Sequence, residues 1–439
     1  MANLLWLGKA LARVEIHTLT VSGTWVAGDT ISLSIPTLTT GKTIVLTIGT
    51  NVSLAAVCAA IVAAWNSESD SLGTGYTVTE RGINVPEFAE ITASAASPVV
   101  TLTHKTAGVP FTVAVTKTTA GSGDIVAATA TAATGPNHWD DATNWDGGTV
   151  PANGDSAYLA SSKVPVKYGL AQTAVTLALL QADMSYETDI GLPPVNEGGD
   201  EYIEYRPRKL AIKATALVLG RGDGSGGQWR LDNSTAQTTA IIENSGNSSE
   251  DNLPAIQWVG THASNALTVR GQASFGAAVL PTEVATIATL TVEGEATVVT
   301  GLGVTLSGAV TVLGSGVLTA YSALAGSLTL RGAGVAVVNG TGAVAQLTAH
   351  DQSAVFYNST GTLGGATVLN GDSVLSFDGD PRPKTVSSAI DIFGSPRAAV
   401  LDGFKVVNSG GSLILDWNGV APDVSGIGTD CRITRAATA

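Results

Sequence analysis

The sequence predicts an all-β protein: a small N-terminal β domain carrying one helix, followed by a right-handed parallel β-helix. Three observations carry that expectation. Glycine is abundant, at 51 residues, while aromatics make up only 5%, a composition suited to strands and tight turns. A single segment shows helical periodicity. From about residue 205 onward a short strand-and-turn motif returns roughly every 20 residues, the mark of a solenoid.

The chain of 439 residues has room for a small domain plus a long repetitive one. Residues 1–14 come first. Leu4, Leu5, Trp6, Leu7 and Leu11 form a dense apolar cluster outside any regular pattern. The stretch Leu4 to Ala12 is interrupted by Gly8 and Lys9 and is too short to span a bilayer. Its Lys follows the apolar residues instead of preceding them, and no small-residue cleavage site leads into a polar start, so a secretory signal is disfavoured. The expectation is an arm whose five apolar residues dock on a neighbouring protein.

Residues 15–134 read as a β-rich domain. Val14, Ile16, Leu19 and Val21 run into the turn at Ser22-Gly23. Ile31, Leu33 and Ile35 alternate with serines before Pro36, and Ile44, Leu46 and Ile48 alternate after Gly41-Lys42. These are hairpin-linked strands. Leu54, Val57, Cys58, Ile61, Val62 and Trp65 then fall on one helical stripe, predicting a helix over 54–66 with Ser53 or Asn51 as its cap. Cys58 in that stripe reads as a small buried hydrophobe. Cys58 and Cys431 lie far apart, which excludes a disulfide framework and predicts two unpaired thiols. Strands resume at Ile91, at Val99–Thr103 and at Phe111–Thr116, and a Thr/Ala/Gly tract, Thr118–Gly135, reads as a linker or an edge strand.

The expected β-helix domain, 135–439, opens on a block with two tryptophans, Trp139 and Trp145, set among Asx, Gly and Pro residues. Such a block suits a compact turn packed on indole rings. His138 and the nearby aspartates do not follow a zinc or calcium spacing, so no metal is expected. Further on, Leu267-Thr-Val269-Arg-Gly271 recurs as Leu290-Thr-Val292-Glu-Gly294, Val310-Thr-Val312-Leu-Gly314, Leu328-Thr-Leu330-Arg-Gly332, Leu347-Thr-Ala349-His-Asp351 and Val368-Leu-Asn370-Gly371. Starts lie 23, 20, 18, 19 and 21 residues apart. No helical stripe survives here and the leucine-rich-repeat spacing is missing, which leaves a parallel β-helix whose coils each add roughly 4.8 Å.

Little in the sequence points to chemistry. Arg221-Gly222-Asp223 lies within Gly220–Gly227 and reads as a glycine-rich turn between rungs, not as a phosphate loop. Seven carboxylates, Asp183, Glu187, Asp189, Glu197, Asp200, Glu201 and Glu204, surround a Pro/Gly-rich stretch. Paired acids are what glycoside hydrolysis requires, but a solvated loop explains these better, and the region 260–420 has few acids or aromatics to build a sugar groove. The histidines, His17, His104, His138, His262 and His350, are scattered, and no serine elbow is present. No catalytic residue and no cofactor is expected. The net charge of −14 argues against nucleic-acid binding.

Several segments together resemble a group of tailed-bacteriophage virion structural proteins. They are the Trp-containing tip, Gly28-Asp29-Thr30, the 54–66 helix, Gly108-Val-Pro-Phe-Thr-Val, the Asn137–Asp155 tryptophan block, Glu204-Tyr-Arg-Pro-Arg-Lys-Leu and Gly260-Thr-His-Ala-Ser-Asn265. The resemblance implies a virion location and homotrimeric spikes or decorations, and carries over no catalytic residue. The expected role is a capsid-decoration (cement) protein on the virion surface that binds the major capsid protein. The alternative is a tail fibre or tailspike recognising host glycans. A polysaccharide-cleaving spike and a bacterial surface adhesin rank below both.

Overall fold

The computed structural model describes residues 1–35, 43–66, 76–78, 85–196, 202–245 and 253–376, with strand pieces at 385–388, 390–393, 413–418 and 433–435. It is an all-β protein with a small N-terminal β domain and a parallel β-solenoid of about ten coils.

The N-terminal domain holds two four-stranded antiparallel sheets. One is ordered Ile91–Ala96, Val99–His104, Ile16–Ser22 and Asp124–Thr131; the other Thr77–Val78, Thr43–Thr47, Thr30–Ser34 and Ala114–Thr118. Alternation decides which face is buried: in Thr30–Ser34 and Thr43–Thr47 only Ile31, Leu33, Ile44 and Leu46 are fully covered. The helix Leu54–Asn66 lies where the stripe predicts it, burying Val57, Cys58, Ile61 and Trp65. Ser53 caps it, its Oγ accepting from the Ala56 amide at 3.3 Å, and Asn51 Oδ1 in turn accepts from Ser53. Burial pushes the Cys58 thiol up; Cys431 lies outside the described residues. A second one-turn helix, Pro86–Ala89, was not signalled by periodicity, because four residues are too few to show any. The Thr/Ala/Gly tract contributes the edge strand Asp124–Thr131, and the strand expected at 111–116 runs instead from Ala114 to Thr118. Asp29 fastens the sheet ends, accepting from the Val26 and Ala120 amides and the Thr119 hydroxyl.

In the solenoid, successive coils stack in register, so each inward position becomes a column. The first sheet contains the column Leu180, Leu217, Ala240, Leu267, Leu290, Val310, Leu328, Leu347. A second sheet stacks Phe275, Val298, Leu318, Ala336, Val355 and Leu375, and a third Ile287, Leu306, Leu324, Val344 and Leu363. Apolar side chains stacked this way pack closely, and each fully buried Leu or Val contributes about 1.5–3 kcal/mol. The last repeat is corrected by one residue: Thr367, not Val368, pairs with Leu347, so Val368 points outward.

The N-terminal segment is the main correction. It is not a free arm and not an extra strand of the β domain. Asn3–Leu5 pairs in parallel with Ser156–Leu159, and Leu4 stands against Ala157, which stands against Leu180. Leu4 is therefore the first residue of the same inward column as Leu267 and Leu290. With about 6% of the described residues helical, the circular dichroism spectrum is expected to be β-dominated. A helical content above about a third would contradict this fold.

Candidate functional site

Two regions gather the polar residues singled out in the sequence: the cap of the solenoid, and the seam where the β domain meets it. The cap is built from the tryptophan block and the first residues of the chain. A solenoid end exposes the top of its core and needs a cover. Here Trp139, Trp145 and Trp6 supply it, packed edge to face with centroids 4.7 and 5.3 Å apart. The Trp6 indole N–H donates to Val164 O at 2.9 Å, and that of Trp145 to Trp139 O.

The Asx residues of the block hold the chain start in place. Asp155 Oδ1 accepts from the Ala2 amide at 2.6 Å and Asp146 Oδ1 from the Leu5 amide at 2.8 Å. Asn144, fully buried, accepts from the Ala10 amide and donates to Gly135 O and His138 O. The backbone amides of Ala2 and Ala152 hold the Asp155 carboxyl below the usual carboxylate range. The five residues expected to dock on a neighbour thus separate. Leu4 and Trp6 are buried in the chain's own core, Leu5 and Leu7 are half-buried, and Leu11 alone is open to solvent at 85% exposure. In the sequence the cluster looks free, because proximity along the chain cannot show that the distant strand Ser156–Leu159 covers it.

The seam is centred on Arg206, from the Glu204-Tyr-Arg-Pro-Arg-Lys segment. Its guanidinium donates to Pro110 O (2.8 Å), to both Glu204 oxygens (3.2 Å), to Tyr202 Oη (3.0 Å) and to Glu90 Oε2 (2.5 Å). It also lies 4.4 Å over the Tyr205 ring. Glu90 belongs to the β domain, so this side chain ties the two units together. Tyr202 Oη donates to Glu90 Oε1 at 2.7 Å. His104 completes the ring: the Thr106 amide donates to its Nδ1, which leaves Nε2 to donate to Glu90 Oε2 at 3.3 Å. Burial pushes the Glu90 carboxyl up, but hydrogen bonds from His104, Tyr202 and Arg206 and the Arg206 charge outweigh it and hold the group at about 2. Burial raises the Tyr202 and Tyr205 phenols, and the surrounding anions raise Arg206 against its own burial.

Two hollows flank Arg206. One, about 220 Å³, is lined by Pro110, Phe111, Tyr168, Leu170, Tyr205 and Pro207. The other, about 430 Å³, is bordered by Glu90, His104, Lys167, Asp189, Glu204 and Arg206. An acid held at about 2 is ionised at neutral pH and cannot donate a proton as a general acid. Chemically this arrangement is a clamp.

The other sequence candidates take structural partners. Asp183 accepts from Gln181, Asp189 Oδ1 from the Gln228 amide, Glu187 pairs with Lys163 at 3.2 Å, and Glu204 with Arg206. Glu197, Asp200 and Glu201 lie outside the described residues. His17 pairs with Glu15 at 2.7 Å, a partner two residues away that corrects the reading of an isolated histidine. His138 Nε2 lies 2.9 Å from Gly108 O and its Nδ1 3.5 Å from Asp140. Among the described residues no group of three or more His, Cys, Asp or Glu is placed to hold a metal ion, and no helix is long and apolar enough to cross a membrane. Arg221 ends the strand Leu210–Arg221, and Gly222, Asp223 and Gly224 bend the chain after it, Gly224 at a point where a Cβ would come within 2.2 Å of Met184 O. Asn265, fully buried, accepts from the Thr238 amide and donates to Thr286 O, bridging coils. No protein-family model, no curated protein and no solved structure matches this chain.

Proposed function

We propose that this chain is a non-enzymatic structural protein on the surface of a tailed-phage virion, a capsid-decoration protein that acts as a homotrimer on the major capsid protein. The observation that carries the reading is the pairing of an apolar-cored β-solenoid with a small β domain clamped at its capped end. Such a body suits adhesion and reinforcement: one end grips, and the solenoid extends over or away from the shell. The sequence resemblance supports the same location. Since Leu4 and Trp6 are committed to the solenoid core, the grip is assigned to the β domain, whose edge strand Asp124–Thr131 leaves Val126 55% exposed. A symmetric shell multiplies weak contacts through avidity.

The test is a cryo-electron microscopy map of purified particles combined with a protein copy count. Hundreds of copies over the head are expected. A handful of copies at the tail would favour the tailspike reading and overturn decoration, and absence from particles would overturn both.

A further inference from the structure

The solenoid's outer faces differ in kind. Along the first sheet the outward column is Thr268, Thr291, Thr311, Thr329 and Thr348, a polar ladder. Along the second sheet two outward columns run side by side. One is Thr297, Val317, Val335, Ala354, Val374; the other is Val299, Thr319, Val337, Phe356. Phe356 is 39% exposed there. Beside this face, at the corner leading to the third sheet, Val284, Leu302 and Tyr321 stand 58%, 69% and 42% exposed. Scattered apolar residues on a surface need no explanation, but a contiguous patch does.

Charge says what covers it. The chain carries a net −14, yet residues 296–349 contain one charged residue, Arg331. Arg331 lies at the corner between the first and second sheets, on the opposite edge of the face from Leu302 and Tyr321, with Asp351 and Asp372 at the same corner in later coils. Two copies of so acidic a protein repel wherever their surfaces carry like charge, and this neutral band is where they can meet without that cost. A basic partner would be drawn to acidic surface instead. The second-sheet face spans roughly 13 Å by 25 Å from strand rise and spacing, about 330 Å². That alone is smaller than the roughly 800 Å² per partner of a standard interface. A closed ring gives each copy two such contacts, the sheet on one neighbour and the corner ridge on the other, and closure adds the avidity that a single contact of this size lacks.

We propose that this neutral second-sheet face, with the Leu302 and Tyr321 ridge, is the surface on which copies of this chain associate. The inference rests on the homotrimer reading above and names its interface. The test is sedimentation equilibrium of the full chain at micromolar concentration. Val337→Glu with Phe356→Glu is expected to convert the trimer to monomer with an unchanged β spectrum, since both side chains point away from the core. The milder Val299→Thr, Val337→Thr, Phe356→Thr variant keeps strand-forming residues and is expected to weaken association at least tenfold. Thr311→Glu with Thr329→Glu, on the polar ladder, is expected to leave the trimer intact. A wild-type trimer unaffected by either second-sheet variant overturns this interface alone. A monomeric wild type overturns the homotrimer reading and the interface with it.

Discussion

Arg206→Ala is expected to destabilise the junction between the β domain and the solenoid by about 3–5 kcal/mol, the usual cost of removing one partner from a buried ion cluster. Arg206, Glu204 and Tyr202 are each 7% exposed, so the substitution takes the guanidinium from the buried Glu204 carboxylate, leaving it the amide of residue 206, and weakens the hold on Glu90. Chemical denaturation, with protease cleavage between residues 105 and 135 as a local probe, would measure it. Replacing Arg206, Glu90 and Glu204 together with Met, Leu and Leu should recover most of the loss, because apolar side chains of similar volume carry no desolvation cost. A loss below about 1 kcal/mol for Arg206→Ala would sink the clamp.

The same site predicts a pH dependence. An ordinary glutamate near 4.5 is brought to about 2 at Glu90. The folded value is the lower one, so this stabilisation is complete above about pH 4.5 and is lost as pH falls toward 2. Its size is at most about 3 kcal/mol, and solvent screening at this partly exposed carboxylate makes it smaller. Acid titration of the wild type should therefore loosen the junction within that window, and Arg206→Ala should move the loosening to higher pH. An identical acid profile in the two proteins would contradict the assignment.

Trp6→Ala is expected to cost about 3–5 kcal/mol, the range for a large aromatic removed from a packed site, and it leaves Val164 O without its indole donor. Trp6 is 1% exposed and packs on Trp145. Deleting residues 1–13 should cost more, because it uncovers the end of the aliphatic column at Ala157 and frees the acceptors on Asp146, Asp155 and Asn144. Leu11→Ala, at an exposed position, should change stability by less than about 0.5 kcal/mol. The readout is the denaturation midpoint followed by tryptophan fluorescence. A deletion variant that melts like the intact chain would restore the free docking arm and remove the cap.

Features written locally are legible along the chain. Alternation in Thr30–Ser34 and Thr43–Thr47, the stripe from Leu54 to Trp65, and the returning Leu-Thr-Val-x-Gly of the coils each depend on neighbours a few residues apart or on a repeat length that varies only between 18 and 23 residues. Tertiary structure decided everything that depends on distant partners. Leu4 becomes core because it stacks on Ala157, and the Asn-Trp-Asp block matters because its side chains hold residues 2–10. Glu204-Tyr-Arg, read from sequence as part of an acidic loop, is a clamp because Glu90 and Pro110 lie across a domain seam. The threonine ladder stands in the returning Leu-Thr-Val, whereas the valine face has no repeated motif to mark it. Both sets of strands alternate in the same way along the chain, and only the register between coils lines up which outward residues stand side by side.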